Sequence, residues 1–199
     1  MTNSAMEVKV NDTDFRRKKD VRALRNIAEI ENMKWALRSR CSERDYIIFV
    51  MGINSGMRCG DIVKFRIEDI RGKKDIKITE KKTGKVRIIY LSAVYKELNA
   101  YIDSMGRGEG WLFPSRKGGG HISVVQVYRR LRMAAEWADI ETGVGTHTMR
   151  KTHAKFLYNK TKNPEIVMNV LNHSSWGVTR RYVGITQDEI GEAYNGFKL

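Results

Sequence analysis

The chain has 199 residues, of which 37 are lysine or arginine and 23 are aspartate or glutamate, so its formal net charge is +14 and its isoelectric point is near 9.9. This excess favours a polyanionic partner, nucleic acid before a membrane surface, because neutralising backbone phosphates releases condensed counterions. Two cysteines exclude a disulfide framework, and a longest apolar run limited to residues 46–51 excludes a typical membrane-spanning helix.

The first predicted elements are a basic arm and two helices. A flexible arm is predicted for residues 1–24, which contain the basic block Arg16, Arg17, Lys18 and Lys19. An amphipathic helix is then predicted by the helical spacing of Ile27, Ile30, Met33 and Leu37. Ser42, three residues before Asp45, is the predicted N-cap of a buried helix around residues 46–51.

A turn, a short helix and a hairpin are predicted next. Gly52 and Gly56 indicate a turn before Arg58, and a short helix is expected to follow through Lys64. Residues 75–79 and 85–91 alternate in polarity with Thr83 and Gly84 between them. This pattern predicts a basic β-hairpin with its tip near residues 82–85.

The second half of the chain is predicted to be helical. Ser92 would cap a helix with apolar positions at Val94, Leu98, Tyr101, Ile102 and Met105. Further helices are predicted after Ser123, from Thr146 or Thr148 to about Lys160, from the Asn163–Pro164 cap to Leu171, and over residues 187–199 with an apolar stripe at Ile190, Ala193, Tyr194 and Phe197. The predicted fold class is therefore α+β: one mainly helical domain with a small antiparallel sheet.

Four blocks carry side chains suited to phosphate chemistry. They are residues 55–61 (SGMRCGD), 80–85 (EKKTGK), 146–153 (THTMRKTH) and 171–182 (LNHSSWGVTRRY). In this order they resemble the catalytic domain of the tyrosine site-specific recombinase (phage integrase) family over roughly residues 25–199. The resemblance extends to short single-domain members such as fimbrial phase-variation invertases and small phage integrases. It implies the catalytic residues Arg58, Lys82, His147, Arg150, His173 and the nucleophile Tyr182, with Asp61 in support.

Elementary chemistry fits this set of residues. A phosphodiester exchanged without metal needs fixed cations and donors around its developing charge, and Arg58 and Arg150 can each present two parallel donors to nonbridging oxygens. The hydroxyl of Tyr182 must lose its proton in order to attack, and His147 could accept that proton. A lysine on a mobile hairpin, Lys82, could protonate the leaving 5′ oxygen, and His173 would donate a hydrogen bond to the phosphate.

The family's reaction implies neither metal nor cofactor. A 3′-phosphotyrosyl bond conserves the energy of the broken phosphodiester, so rejoining needs no ATP. The resemblance implies DNA integration, excision, inversion or resolution through a Holliday junction, with double-stranded DNA as partner and a homo-oligomer, a tetramer on DNA. A cytoplasmic location is expected because the first residues lack the apolar segment of a secretory signal. Residues expected to contact DNA are Arg16, Arg17, Lys18, Lys19, Lys81, Lys85, Arg180 and Arg181.

Other interpretations remain open at the sequence level. Taken alone, each of these residues is more often an ordinary core or surface side chain, and Lys81 or Lys85 could take the place of Lys82. His147, His153 and His173 could be zinc ligands, although no cysteine or carboxylate at close spacing completes a tetrahedral set. The alternative functions are a catalytically idle DNA-binding regulator derived from a recombinase and a type IB-like topoisomerase.

The sequence also departs from the family. Only some 25 residues precede the first predicted helix, where family members usually carry a separate helical DNA-binding domain, so autonomous site recognition is in question. Asn172 stands where a glycine usually precedes His173, and must adopt a backbone conformation that glycine enters more easily. Residues 187–199 are expected to dock on a neighbouring protomer, as the segment after the tyrosine does in the family.

Overall fold

The computed structural model describes residues 21–79, 84, 86–140, 143–183, 191, 194–195 and 197–198. These residues form a mainly helical fold with one two-stranded antiparallel sheet, which confirms the predicted α+β class. The elements in chain order are α1 (Ile27–Ala36), α2 (Glu43–Ser55), α3 (Cys59–Ile62), α4 (Ile67–Ile70), β1 (Asp75–Thr79), β2 (Val86–Tyr90), α5 (Tyr95–Ser104), α6 (Val124–Trp137), α7 (Thr146–Thr161), α8 (Pro164–Leu171) and α9 (Trp176–Val183).

A predicted polar side chain caps three of the helices, whereas the predicted cap at Ser92 was wrong. Ser92 begins a short 3₁₀ turn, Ser92–Val94, and α5 follows at Tyr95 without a side-chain cap. The Ser42 hydroxyl accepts a hydrogen bond from the Asp45 amide at the start of α2, and the Ser123 hydroxyl accepts from the Gln126 amide at the start of α6. The Asn163 side chain accepts from two amides at the start of α8, whose first residue is Pro164. These caps satisfy amides that have no partner inside their own helix.

Helix α1 packs on the core with a narrower face than its apolar spacing predicts. Ile30 and Met33 are buried, whereas Ile27 is 59% exposed at the first position of the helix. Its placement on the buried face was therefore wrong. The helix continues through one π-helical turn, Leu37–Cys41, which buries Leu37.

Helix α2 runs through the centre of the core and crosses α7 closely. Gly52 lies inside α2, so its interpretation as a turn residue was wrong, while Gly56 ends the helix with φ 63°. A Cβ atom built on Gly52 would lie 2.6 Å from the Met149 sulfur of α7. Gly52 is therefore a packing residue, because only hydrogen fits between the two helices.

The hairpin presents one face to the core. Ile76 pairs with Ile89, and both are buried. On the same face Ile78 pairs with Arg87, so Arg87 points from β2 toward the body of the protein. Strand β1 ends at residue 79, and β2 begins at residue 86. Of the predicted tip at residues 82–85, only Gly84 is among the described residues.

Helices α7, α8 and α9 enclose a second, smaller apolar cluster. Its buried members are Ala154, Val167, Leu171 and Val183, with Tyr182 packed against them. Neither α9 nor the single-turn helix α4 is predicted by the sequence patterns above. Both are short, eight and four residues, which leaves little apolar periodicity to detect.

The described part of the predicted arm, residues 21–24, packs on the domain. Leu24 is fully buried, and its amide donates to the Thr152 hydroxyl at 2.9 Å. Lys151 donates to the Val21 carbonyl. Residues 21–24 therefore belong to the packed domain. The prediction of a flexible arm is left for residues 1–20, which lie outside the described residues. Within the described residues, no helix has the length and apolar character needed to cross a bilayer.

Candidate active site

Arg150 lies where α7 meets the end of α2 and the end of α8. Its side chain is only 1% exposed, and a buried guanidinium needs hydrogen-bond partners. Nη1 donates to the Gly56 carbonyl at 2.6 Å, and Nη2 donates to the Leu171 carbonyl at 2.5 Å. Arg150 therefore ties together the two loops that carry Arg58 and His173.

His173 is held between Arg150 and α9. Its Nε2 lies 3.2 Å from Arg150 Nη2, and its Nδ1 lies 3.0 Å from the Thr179 hydroxyl. Because a guanidinium can only donate, Nε2 accepts and the ring proton is on Nδ1. Asn172, just before it, has φ 51° and ψ 47°, which confirms the left-handed backbone expected at this position.

Tyr182 lies on α9 and faces the same group. Its ring centroid is 4.8 Å from that of His173, with 57° between the ring planes. The guanidinium carbon of Arg150 is 5.9 Å from the Tyr182 ring centroid. Three of the predicted catalytic residues, from α7, the end of α8 and α9, therefore meet in one place.

His147 and Arg58 border this cluster. His147 is exposed on the first turn of α7, where partial desolvation and then the positive charges of Arg150, Lys151 and Arg58 lower its pKa. Arg58 is exposed at the N-cap of α3. The charges of both Arg58 and Arg150 contribute to the lowered pKa of His147.

Asp61 and Cys59 lie on α3, directly after Arg58. Asp61 is exposed, and its charge adds to burial in raising the pKa of the Cys59 thiol to about 12. Cys59 is therefore protonated at neutral pH and unsuited to act as a nucleophile. The supporting role of Asp61 stays a prediction.

Several predicted residues lie outside the described part of the chain. Arg180 is described and exposed on α9. The residues whose side chains are not described are Arg16, Arg17, Lys18, Lys19, Lys81, Lys82, Lys85 and Arg181. Among the described residues, no group of three His, Cys, Asp or Glu side chains is arranged to hold a metal ion.

Three residues near the site were not assigned to it from the sequence. Thr179 bonds His173, Arg87 donates to the Ser55 carbonyl at 3.3 Å, and His153 Nδ1 lies 3.0 Å from the Ile53 carbonyl. Thr179 and His153 each stand inside one of the four blocks, which was the available signal for these two residues. Arg87 and His153 bind backbone atoms of a distant helix, and no local pattern predicts such contacts.

A known family model covers most of the chain. The model of the phage integrase family matches residues 15–189. The chain belongs to this family. The cluster on α7, α8 and α9 contains three of the catalytic residues that the resemblance to this family implies, and their roles stay a prediction.

Curated relatives within the family differ in length. The chain is 38% identical over 178 residues to a probable integrase/recombinase, YoeC, of Bacillus subtilis, covering 89% of this chain and 97% of that protein. It is 31% identical over 157 residues to a tyrosine recombinase of Pseudothermotoga lettingae, covering 77% of this chain and 54% of that one. The chain therefore spans almost all of one relative and about half of the other.

Solved structures of recombinases share the fold. The XerA recombinase structure superimposes with a TM-score of 0.71 at 22% identity, covering 89% of this chain and 65% of that chain. A lambda integrase dimer bound to a core site gives a TM-score of 0.64 at 18% identity, covering 84% of this chain and 61% of that chain.

Proposed function

We propose that this tyrosine recombinase cleaves and rejoins double-stranded DNA at specific sites, with Tyr182 as the covalent nucleophile. The observation that carries the proposal is the contact of Tyr182 with His173 and of both with the buried Arg150. This environment differs from that of an ordinary surface tyrosine, because the ring of Tyr182 packs against His173, whose imidazole is oriented by the buried Arg150. The role of each residue follows from its chemistry.

Cleavage exchanges one phosphodiester for another. The Tyr182 oxygen attacks phosphorus, its proton passes to His147, and the bond from phosphorus to the 5′ oxygen breaks. Arg58 and Arg150 stabilise the charge on the nonbridging oxygens. Lys82 gives a proton to the leaving 5′ oxygen. Attack by a 5′ hydroxyl of another strand reverses these transfers and produces a Holliday junction.

His173 needs a change of partner to act on the phosphate. With Nδ1 bound to Thr179, only Nε2 is oriented toward Arg150 and Tyr182, and it accepts from Arg150. A phosphate bound by Arg150 would compete for that donor. A shift of the ring proton from Nδ1 to Nε2, with the Thr179 hydroxyl then donating to Nδ1, would let His173 donate to the phosphate, as expected from the sequence.

We propose that DNA is bound mainly through its phosphates, in the cytoplasm, by a homotetramer. The net charge of +14 supports a large electrostatic component of binding. The basic arm at residues 16–19, Lys81, Lys85, Arg180 and Arg181 are the proposed phosphate contacts. Integration, excision, inversion and resolution share this chemistry, so the arrangement of the sites decides the product.

The test is covalent capture of DNA. Nicked duplexes with a randomised central sequence are incubated with the protein, and species that survive denaturation are isolated and sequenced. The nick lets the short strand dissociate after cleavage, so the phosphotyrosyl complex accumulates. We expect a covalent band with the wild type and none with Tyr182→Phe, which keeps the ring packing but lacks the nucleophilic oxygen.

The control variant is Tyr158→Phe, because Tyr158 packs on the same apolar cluster but its ring contacts that of Trp176, with ring centroids 6.1 Å apart. It should leave the band in place. Sequence-specific binding by folded wild-type protein without any covalent band would favour a catalytically idle regulator. Cleavage at sites with no shared sequence would favour a topoisomerase.

A further inference from the structure

The end of α2 directly precedes Arg58, and it is held from outside the helix. The last carbonyls of a helix lack partners within it and carry the negative end of its dipole. Here side chains from α7 and β2 supply the partners. The contacts are His153 Nδ1 to the Ile53 carbonyl at 3.0 Å, Arg87 Nη2 to the Ser55 carbonyl at 3.3 Å, and Arg150 Nη1 to the Gly56 carbonyl at 2.6 Å. We call Arg87, Arg150 and His153 the α2 clamp.

The His153 ring fits closely against the turn. A Cβ atom on Gly56 would lie only 2.5 Å from His153 Cδ2, so glycine is needed both for this contact and for its φ of 63°. Nδ1 faces a carbonyl and so carries the proton, while Nε2 is buried without a hydrogen-bond partner in the described part of the chain. Such an arrangement costs desolvation energy, which a residue serving only the apolar core would avoid.

Arg87 links the hairpin to the same turn. It lies on β2, opposite Ile78, and reaches across to the Ser55 carbonyl. Burial lowers the pKa of His153, its hydrogen bond to the Ile53 carbonyl opposes this shift, and the charges of Arg87 and Arg150 lower the pKa further. The clamp therefore places two permanent cations and one imidazole N–H donor at the negative end of α2.

We propose that Arg87 and His153 are positioning residues for Arg58. They fix the end of α2 and thereby direct the Arg58 guanidinium, three residues after Ser55, toward the scissile phosphate. Neither residue touches the reacting atoms. The proposal rests on the proposed function, since Arg58 has a catalytic task only if this chain cleaves DNA.

The test compares binding with cleavage in clamp variants. Arg87→Met keeps the length of the side chain but removes its donors, and His153→Leu removes the Nδ1 donor. Arg87→Lys and His153→Asn each restore one donor near the lost one. The control is Arg71→Met, because Arg71 contacts only Asp103 and the Arg107 carbonyl among the described residues. Duplexes recovered by covalent capture serve as substrates.

Single-turnover cleavage at saturating protein should fall about tenfold to a hundredfold in Arg87→Met and His153→Leu, because small misplacements of a catalytic group are costly. The dissociation constant and its salt dependence should change by less than about twofold, since no phosphate contact is lost. Arg87→Lys and His153→Asn should recover part of the rate. Combining Arg87→Met with Arg58→Lys should cost less than the product of the single effects.

A merely structural role gives a different result. It would lower stability while leaving the cleavage rate of the folded protein unchanged, and that outcome overturns the proposal. A loss of rate that only follows weaker binding does so as well, because it makes Arg87 a DNA contact.

Amide hydrogen exchange provides a readout besides activity. The Gly56 amide donates to the Gly52 carbonyl at 3.1 Å, so its protection should fall in the clamp variants while amides in the middle of α2 keep theirs. If the wild type forms no covalent complex, the proposed function fails. In that case only amide hydrogen exchange tests whether Arg87 and His153 fix the end of α2. Unchanged protection of the Gly56 amide in the clamp variants overturns that claim.

Discussion

Arg150 is held in position by groups of the protein itself. Its two amino groups hold the carbonyls of Gly56 and Leu171, and one of them also approaches His173. A cation fixed in this way needs little reorganisation when charge develops on a phosphate, which is the main source of electrostatic catalysis. The same contacts explain how an ionised side chain tolerates burial.

As the proposed general base, His147 should make cleavage sensitive to pH in a defined direction. Only neutral His147 can accept the proton of Tyr182, and desolvation with the charges of Arg150, Lys151 and Arg58 lowers its pKa below the usual value of about 6.5. The rate should therefore persist below that pH and fall as the pH drops through the lowered pKa. Lys151→Gln removes one positive charge and should shift the acidic limb of the rate profile to higher pH.

The measurement is the single-turnover cleavage rate as a function of pH. Lys155→Gln is the matched control, because Lys155 lies on the same helix and its charge does not contribute to the lowered pKa of His147. An acidic limb that stays in place in Lys151→Gln would remove His147 from the role of general base.

The sequence predicts the residues of the candidate site only where a reactive side chain belongs to a recognisable motif. Arg58, His147, Arg150, His173 and Tyr182 stand in blocks whose order is informative. The clamp contacts could not be predicted, because they join α7 and β2 to backbone carbonyls of α2 that lie far away along the chain. Side chains that bind a distant backbone leave no local pattern.

At the scale of elements, polar caps were easier to predict than glycines. A cap such as Ser42 acts on an amide three residues away, so its effect is local. The role of Gly52 depends instead on which helix crosses α2, and the crossing helix α7 begins at residue 146. For this reason the sequence pattern assigned Gly52 to a turn, although the residue lies inside α2.

The close crossing of α2 and α7 predicts a large effect of a single methyl group. In Gly52→Ala the new Cβ would meet Met149 at 2.6 Å from its sulfur and 2.8 Å from its Cβ. We expect a loss of unfolding free energy of about 1–3 kcal/mol, because overpacking outweighs the gain in helix propensity. Urea denaturation monitored by circular dichroism measures it.

Gly60→Ala is the matched control for this prediction. Gly60 is also helical, and a Cβ there would meet only Val124, at 3.8 Å. Its unfolding free energy should stay within about 1 kcal/mol of the wild type or rise. Equal destabilisation by the two substitutions would show that the α2–α7 crossing can relax.

At the scale of the whole molecule, the described part of the terminal segment exposes aromatic side chains. Tyr194 and Phe197 are 70% and 66% exposed and contact each other edge to face with ring centroids 6.2 Å apart. Exposed aromatic pairs are common at protein interfaces. They support the proposal that residues 187–199 dock on a neighbouring protomer within the proposed tetramer.

Replacing Tyr194 and Phe197 together by serine should therefore leave the melting temperature of the isolated chain nearly unchanged, because neither side chain is buried in it. Assembly of several protomers on DNA should weaken about tenfold or more, because aromatic anchors contribute most to interfaces. Deleting residues 188–199 should have the same effect.

Mass photometry of the protein–DNA complexes measures assembly, and formation of Holliday junctions measures strand exchange. Ile27→Ser, at a site of similar exposure on α1, is the control and should assemble normally. If the double variant recombines as well as the wild type, coupling between protomers must lie elsewhere on the molecule.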